Sequence, residues 1–461
     1  MPPPQGTNAS RISRRQWPDT VFRTIFVFIA LITGWAFALQ SALYAACLYL
    51  WIAYFRPESW AWSDIFTSLN LSYIAGAYLV IRTLLSGTRL KLDWRSGLLL
   101  LFLGQSLLAT ALGVDPAYSF GQWQDFAKMI VVSILLANII QTTADLRLVL
   151  IVIALSLGFE AAKQGWAQLV LNPGGRNDNG VPFLGDNNLV AVGMAMLVPI
   201  IGVLATTATG WQKRAFQFLN IGVVYRAIST YSRGGFLSIG AVSAMWFWRS
   251  PHKLKTLAAV LIAAALILPV LPHQFWDRMT SITAPAGERD DSAASRLHFW
   301  KVAVAMANDR PLIGVGHSGY PRAYNRYDWT GGQFMTNRAV HSAWFGVLAE
   351  LGYPGLLLFI LIVGGSLRAC RRVRLAAKRG EITGPLGLYA VAFETSLIAF
   401  MVGGSFVSFH YCEMLWHYFA LTIALERVAV REMAAQRERH GVEQASPIDT
   451  ATTTEPEFAW G

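Results

Sequence analysis

Charge is what this chain has least of. Lys, Arg, Asp and Glu make up 14% of its 461 residues, where a water-soluble domain carries about 25%. With 54% of residues hydrophobic and 13% aromatic, that shortage excludes an ordinary soluble fold. Cysteine is scarce too: Cys47, Cys370 and Cys412 are odd in number, widely spaced and set in or beside apolar segments. Neither a disulfide framework nor a cysteine metal site is expected. The first apolar stretch has no A-x-A-like cleavage site and runs too long for a cleaved signal peptide. Residues 1–20, with Arg11, Arg14 and Arg15, are therefore expected to remain as a cytoplasmic tail. No internal repeat is present.

What the chain does have is apolar runs. A bilayer core about 30 Å thick needs about 20 apolar residues per helical crossing, and residues 96–112, 188–207, 256–271 and 345–363 reach or approach that length. The formal charge of +11 invites a nucleic-acid reading. Many of the Lys and Arg residues, however, sit in short connections between apolar runs, the pattern of a membrane protein, and no nucleic acid is expected. Placing the basic connections 249–255 and 368–379 in the cytoplasm orients the rest. The fold expected is all-α and polytopic, with about twelve transmembrane helices (thirteen is the alternative), ten of them within 21–271. Residues 272–340 form one long periplasmic loop, residues 341–428 hold the last helices, and residues 429–461 form a second cytoplasmic tail, disordered. Both termini are then cytoplasmic, and residues 21–55 must cross an odd number of times. Trp60 and Trp62 at one face, with Trp246 and Trp248 at the other, suit interfacial belts. Within the loop, Leu297, Trp300 and Val304 recur at helical spacing and predict an amphipathic surface helix over 292–306.

Several polar features fall on the outer face of this topology. Arg226 and Arg233, seven residues or about two helical turns apart, are expected to project from nearly the same side of one helix. Arg296 sits on the loop helix, and Arg338 precedes His341 at the start of an apolar helix. Ionisable groups at membrane depth are costly and usually serve a cavity or a partner. Arginine suits phosphate because its fork donates two parallel hydrogen bonds and keeps its charge. The alternatives are that Arg233 reaches the headgroups and that Arg226 pairs with a carboxylate such as Glu160 or Glu394. At a helix N-terminus His341 is disfavoured as imidazolium, so it can act as a neutral base. Asp186 or Asn187 caps the helix after the loop 176–188, and no metal is expected there. Glu160 and Lys163 pair within a helix. Glu350 either orients polar groups or marks a packing site, and the turn Gly314-Val315-Gly316 is weak evidence for phosphate binding.

The order Tyr231-Ser232-Arg233-Gly234-Gly235, Ser295-Arg296 with Trp300, Arg310-Pro311-Leu312-Ile313-Gly314-Val315-Gly316, then His341-Ser342 with Glu350-Leu351-Gly352 resembles the O-antigen ligase and polymerase superfamily. Arg56-Pro57 and Gly185-Asp186-Asn187-Asn188 are more similar to its branch of exosortase-associated putative O-glycosylation ligases. The resemblance implies a glycosyltransferase C-like membrane fold in the bacterial inner membrane and an undecaprenyl pyrophosphate-linked glycan donor. It also implies metal-independent, inverting transfer on the periplasmic side to a glycan, lipid A core or protein hydroxyl, without a cofactor. Arg233 and Arg296 match the family's pyrophosphate-contacting arginines and His341 its base, whereas Arg226 and Arg338 have no secure counterpart. A polymerase using a lipid-linked glycan acceptor, and a non-enzymatic transporter of the same lipid, are the alternatives; only a transporter has no use for a base.

Overall fold

A computed structural model describes residues 17–61, 66, 69–267, 269, 276 and 291–445. Residues 1–16, Trp62, most of 268–290 and 446–461 lie outside the described residues, and the expectations for both terminal tails fall largely there. Among the described residues every regular element is a helix. In chain order these are α1 (Trp17–Ala38), α2 (Ala42–Phe55), α3 (Pro57–Trp60), α4 (Leu71–Leu85), α5 (Trp94–Ala111), α6 (Pro116–Ile139), α7 (Thr143–Leu171) and α8 (Asn187–Thr207). They continue with α9 (Gly210–Ile228), α10 (Arg233–Arg249), α11 (Lys253–Ile267), α12 (Asp291–Asp309), α13 (Tyr320–Tyr327), α14 (Ala343–Lys378), α15 (Leu386–Gly403) and α16 (Glu413–Ala445). Val21–Ala38, Asn187–Thr207, Ala343–Lys378 and Leu386–Gly403 are long and apolar enough to cross a membrane, while Ala42–Phe55 and Leu71–Leu85 are shorter apolar helices. Trp246 and Trp248 are exposed near one helix end, as an interfacial pair requires.

The helices form one bundle whose connections gather at two ends. At one end Lys91 N donates to Asn138, Arg427 to Ala137 O and Arg431 to Gln141 O, while Glu394 pairs with both Arg249 and Arg374. At the other, Asn177 N donates to Ser229 O, Ala343 N to Gly404 O, and Tyr54 shares a hydrogen bond with His417. Small residues let helices touch directly. A Cβ on Gly165 of α7 would lie 1.9 Å from Gly222 O of α9, so these two backbones meet with nothing between them.

Two expectations change. The stretch 21–55 is two helices, broken at residues 39–41, where Ser41 caps α2 by accepting from Tyr44 N. That turn lies at the first end, with Arg82 donating to Gln40 O at 2.9 Å. Arg23 at the start of α1 lies over Trp60 at the opposite end. The start of α1 and the close of α16 therefore occupy opposite ends of the bundle, not the same end. Residues 429–445, expected to be disordered, continue α16, because Ala, Met, Glu, Gln and Arg are strong helix formers whatever their polarity.

The decisive local feature is a break in α14. Gly352 has φ +68° and ψ −170°, and Pro354 has no N–H to give to the Glu350 carbonyl. A buried carbonyl left without a partner costs about 1–3 kcal/mol. The segment 311–316 supplies the missing donors: Val315 N donates to Ala349 O at 2.9 Å and Gly316 N to Glu350 O at 3.0 Å, while Tyr353 N donates to Pro311 O at 2.9 Å. Gln105 donates to both Leu351 O and Leu312 O. The Gly314-Val315-Gly316 motif is thus a docking strap and not a phosphate loop; a Cβ on Gly314 would lie 2.4 Å from Ala349 O.

Gly352→Ala is expected to destabilise the solubilised protein, since a left-handed alanine costs about 1–3 kcal/mol and its Cβ would lie 2.4 Å from Pro311 O. Gly364→Ala, on the same helix with open space around it, should leave the thermal midpoint unchanged or raise it. Equal midpoints for the two variants would refute the docking role.

Candidate active site at the joined helix termini

Two helix N-termini meet at the site. Asp186 caps α8 by accepting from Asn188 N and Leu189 N. Ser232 caps α10 by accepting from Gly235 N and donates its own hydroxyl to Asn188 Oδ1 at 2.9 Å. A Cβ on Gly235 would lie 2.3 Å from that of Ala191, so glycine is what lets α10 start directly against α8. Arg233 is the first residue of α10. A cation at the positive end of a helix dipole is adverse unless an anion joins it.

Arg226 is not on that helix. α9 ends at Ile228, and residues 229–232, with Tyr231 at φ +58°, turn the chain before α10. The expected shared face for Arg226 and Arg233 is therefore absent. Arg226 is fully buried; its Nε donates to Gln164 Oε1 at 2.8 Å and its Nη2 to Asn179 O and Asn187 Oδ1. The guanidinium holds the 177–187 loop from beneath. Its partner is Gln164 and neither Glu160, which pairs with Lys163, nor Glu394, which pairs with Arg249 and Arg374.

His341 stands one residue before Ser342, the N-cap of α14, in a left-handed conformation at φ +51°. It therefore precedes the helix instead of opening it. Its ring lies 6.0 Å from that of Phe299 on α12, and the Arg338 guanidinium lies 5.5 Å above the same Phe299 ring. Burial first, then Arg296 and Arg338, push the His341 imidazole down to about 4, against the opposing pull of Asp186. These perturbations bring Arg296, Arg338, His341 and Asp186 into one electrostatic neighbourhood, and the Ser232–Asn188 bond brings Arg233 to its edge. His341 is neutral at pH 7 in this setting. On α12 the buried face is Phe299, Val302, Ala303 and Met306, while Leu297 is 44% exposed, so the predicted stripe of Leu297, Trp300 and Val304 was out of phase. Trp300 stacks on Phe345.

Glu350 lies buried below the site. It accepts from Ser318 N and Tyr320 N, each at 3.2 Å, and meets His410 Nε2 at 3.3 Å. It secures the strap and does not reach His341 by any hydrogen bond among the described residues. Sequence reasoning missed two further clusters. His298 and Asp328 pair at 3.0 Å and anchor the 328–332 turn; only their separate presence in the loop signalled this. Tyr49, Glu413, His417 and Tyr54 form a chain of hydrogen bonds and close polar contacts, signalled by an acid and a histidine four apart at the head of an apolar helix. Tyr49 and Glu413 also line a cavity of about 1100 Å³ between α2, α4 and α6, whose described wall includes neither His341 nor the four arginines.

Residues 218–360 match the family model described as O-antigen ligase. That match supports the O-antigen ligase superfamily for this segment. The matched segment contains Arg226, Arg233, Arg296, Arg338, His341 and Glu350, so the site and the family signal coincide. Residues 22–209 match a family of unknown function (DUF5935), which takes in α8 and its Asp186 cap. No curated protein matches the chain. The superfamily assignment supports glycan transfer between a lipid-linked glycan and an acceptor in a multi-pass membrane protein.

His341 should stay neutral down to about pH 4 in the free protein. Because Arg296 and Arg338 depress its affinity for a proton, Arg296→Gln should move the titration upward towards the ordinary histidine value of about 6.5. Nitrogen NMR of selectively labelled histidine reads both. A wild-type midpoint near 6.5, or no upward movement in the variant, would dissolve the grouping.

Proposed function

We propose that the chain is a metal-independent, inverting glycosyltransferase of O-antigen ligase type, which moves a glycan from undecaprenyl pyrophosphate to an acceptor hydroxyl on the periplasmic side of the bacterial inner membrane. The observation that carries this reading is the neutral His341 flanked by Arg296 and Arg338 beside the helix terminus that bears Arg233. Displacing a pyrophosphate lipid from a sugar leaves negative charge on the departing oxygens, and fixed guanidinium groups stabilise it without reorganising. Arg296 and Arg233 take the pyrophosphate, with Arg338 beside them; Arg226 keeps the loop in place and does not touch the donor. Binding also resolves the weak basicity of His341. A pyrophosphate among the arginines offsets the charges that depress the imidazole, returning it towards the range in which it can accept the acceptor's proton. In this topology the site end of the bundle faces the periplasm, and the basic end, with Lys91, Lys378 and Arg431, faces the cytoplasm. The Gly185-to-Asn188 corner supports the exosortase-associated branch.

Purified protein incubated with a lipid-linked oligosaccharide and candidate glycan and peptide acceptors should yield a product identifiable by mass spectrometry. His341→Ala should lose about 10²-fold or more in turnover with donor binding little changed. Arg296→Lys should weaken donor use, because a point charge does not reproduce bidentate phosphate geometry. Undiminished turnover by folded His341→Ala protein would end the base role, and absence of any product with the wild-type protein would favour a transporter. Orientation is read separately: in a cysteine-free background, Gln333→Cys should react with an impermeant reagent in spheroplasts and Lys378→Cys should not.

A further inference from the structure

At the end of the bundle away from His341, three separate segments enclose a pocket of about 270 Å³, with Arg89, Lys91, Arg427 and Arg431 on its wall together with Asn138. The basic loops of a membrane protein account for cations at this end, but not for four of them meeting around one cavity. The pocket is also built. Asn138, buried within α6, accepts from Lys91 N at 2.7 Å and from Arg427 Nη1 at 3.0 Å, so one side chain ties the α4–α5 connection to α16. Arg427 further donates to Ala137 O and Lys91 O, and Arg431 to Gln141 O.

The carboxylates nearby are engaged. Asp93 accepts from Ser96 and lies 3.4 Å from Arg427; Asp145 accepts from Gln141 N and Thr142 N; Glu432 accepts from the Thr143 hydroxyl. Among the described residues, Arg89, Lys91 and Arg431 have no carboxylate at ion-pair distance. Leu84, Leu85 and Leu92, which bracket the pocket's Gly87–Lys91 segment in the chain, are 67%, 76% and 58% exposed, an apolar shelf beside the cations that a free anion would not need.

We infer that this pocket binds the phosphate of an anionic phospholipid, with the headgroup among Arg89, Lys91, Arg427 and Arg431 and the acyl chains along the leucine shelf. A basic pocket between helices is a recurrent way of holding such a headgroup, and the inference assumes nothing about the reaction at His341. Free phosphate offers the same anionic chemistry, and the shelf is the reason for assigning the lipid.

Native mass spectrometry of the full chain in mild detergent tests this, titrating phosphatidylglycerol, phosphatidylcholine and inorganic phosphate in turn. Phosphatidylglycerol should fill one saturable site ahead of phosphatidylcholine. The double variant Arg89→Gln/Arg431→Gln should weaken that site about 10- to 30-fold, at roughly the interaction of one basic residue with an anionic surface per side chain. Arg89→Lys/Arg431→Lys should retain most of it, and Lys378→Gln, a basic residue at the same end outside the pocket, should retain all of it. Equal retention of the two lipids, unchanged phosphatidylglycerol binding in the Gln variant, or inorganic phosphate binding as tightly as the lipid would each overturn the assignment. A Gln variant whose thermal midpoint falls while the Lys variant binds normally still supports it.

Discussion

The site depends on an interruption in α14. In a helix continuous through Gly352, Tyr353 N would take the Ala349 carbonyl, and only Glu350 O, opposite Pro354, would be left for the strap 311–316 to dock on. Because the helix breaks, the strap joins it by paired backbone hydrogen bonds, and the Glu350 carboxylate then receives Ser318 N and Tyr320 N. The strap is continuous with α12 and α13, so this joint carries Arg296 and Phe299 to the short part of α14 that follows His341. Strap, arginines and histidine form one mechanical unit. That unit is held by main-chain bonds, which are less sensitive to side-chain identity than ion pairs.

The arginines divide by what surrounds them. Arg226 gives Nε to Gln164 of α7 and Nη2 to Asn179 O and Asn187 Oδ1 of the loop; a buried guanidinium is costly unless so engaged. Arg296 and Arg338 instead act on His341 through space, and Arg233 adds its charge to a helix end already positive. Concentrating like charge in this way works against stability. An anion bound among them would offset that repulsion.

Much of the helical fold was legible because apolar length is nearly a sufficient signal in a membrane protein. The break between α1 and α2 was not, since Leu39-Gln40-Ser41 contains neither Gly nor Pro and only the Ser41 cap marks it. The helical close of α16 was missed because polarity was read as disorder, although the same residues favour helix. That Arg296 and Arg338 fall close enough to act on His341 was legible from the short motifs around them and the sidedness of the loops. The loop-holding work of Arg226 was not, because its partners are a neutral side chain and a main-chain carbonyl supplied from distant segments. Glu350 was ambiguous for a related reason: its role requires the kink two residues later, and Gly-Tyr-Pro alone does not say which strand will cross there.

His341 carries one further implication through its backbone. At φ +51° it occupies the left-handed region, where His, Asn and Asp are the side chains most often found besides glycine. Asparagine would hold the same turn at no greater backbone cost, so the fold by itself asks for no imidazole at this position. Backbone and ring are therefore separable here: exchanging histidine for asparagine removes the titratable group and leaves the turn into α14 in place.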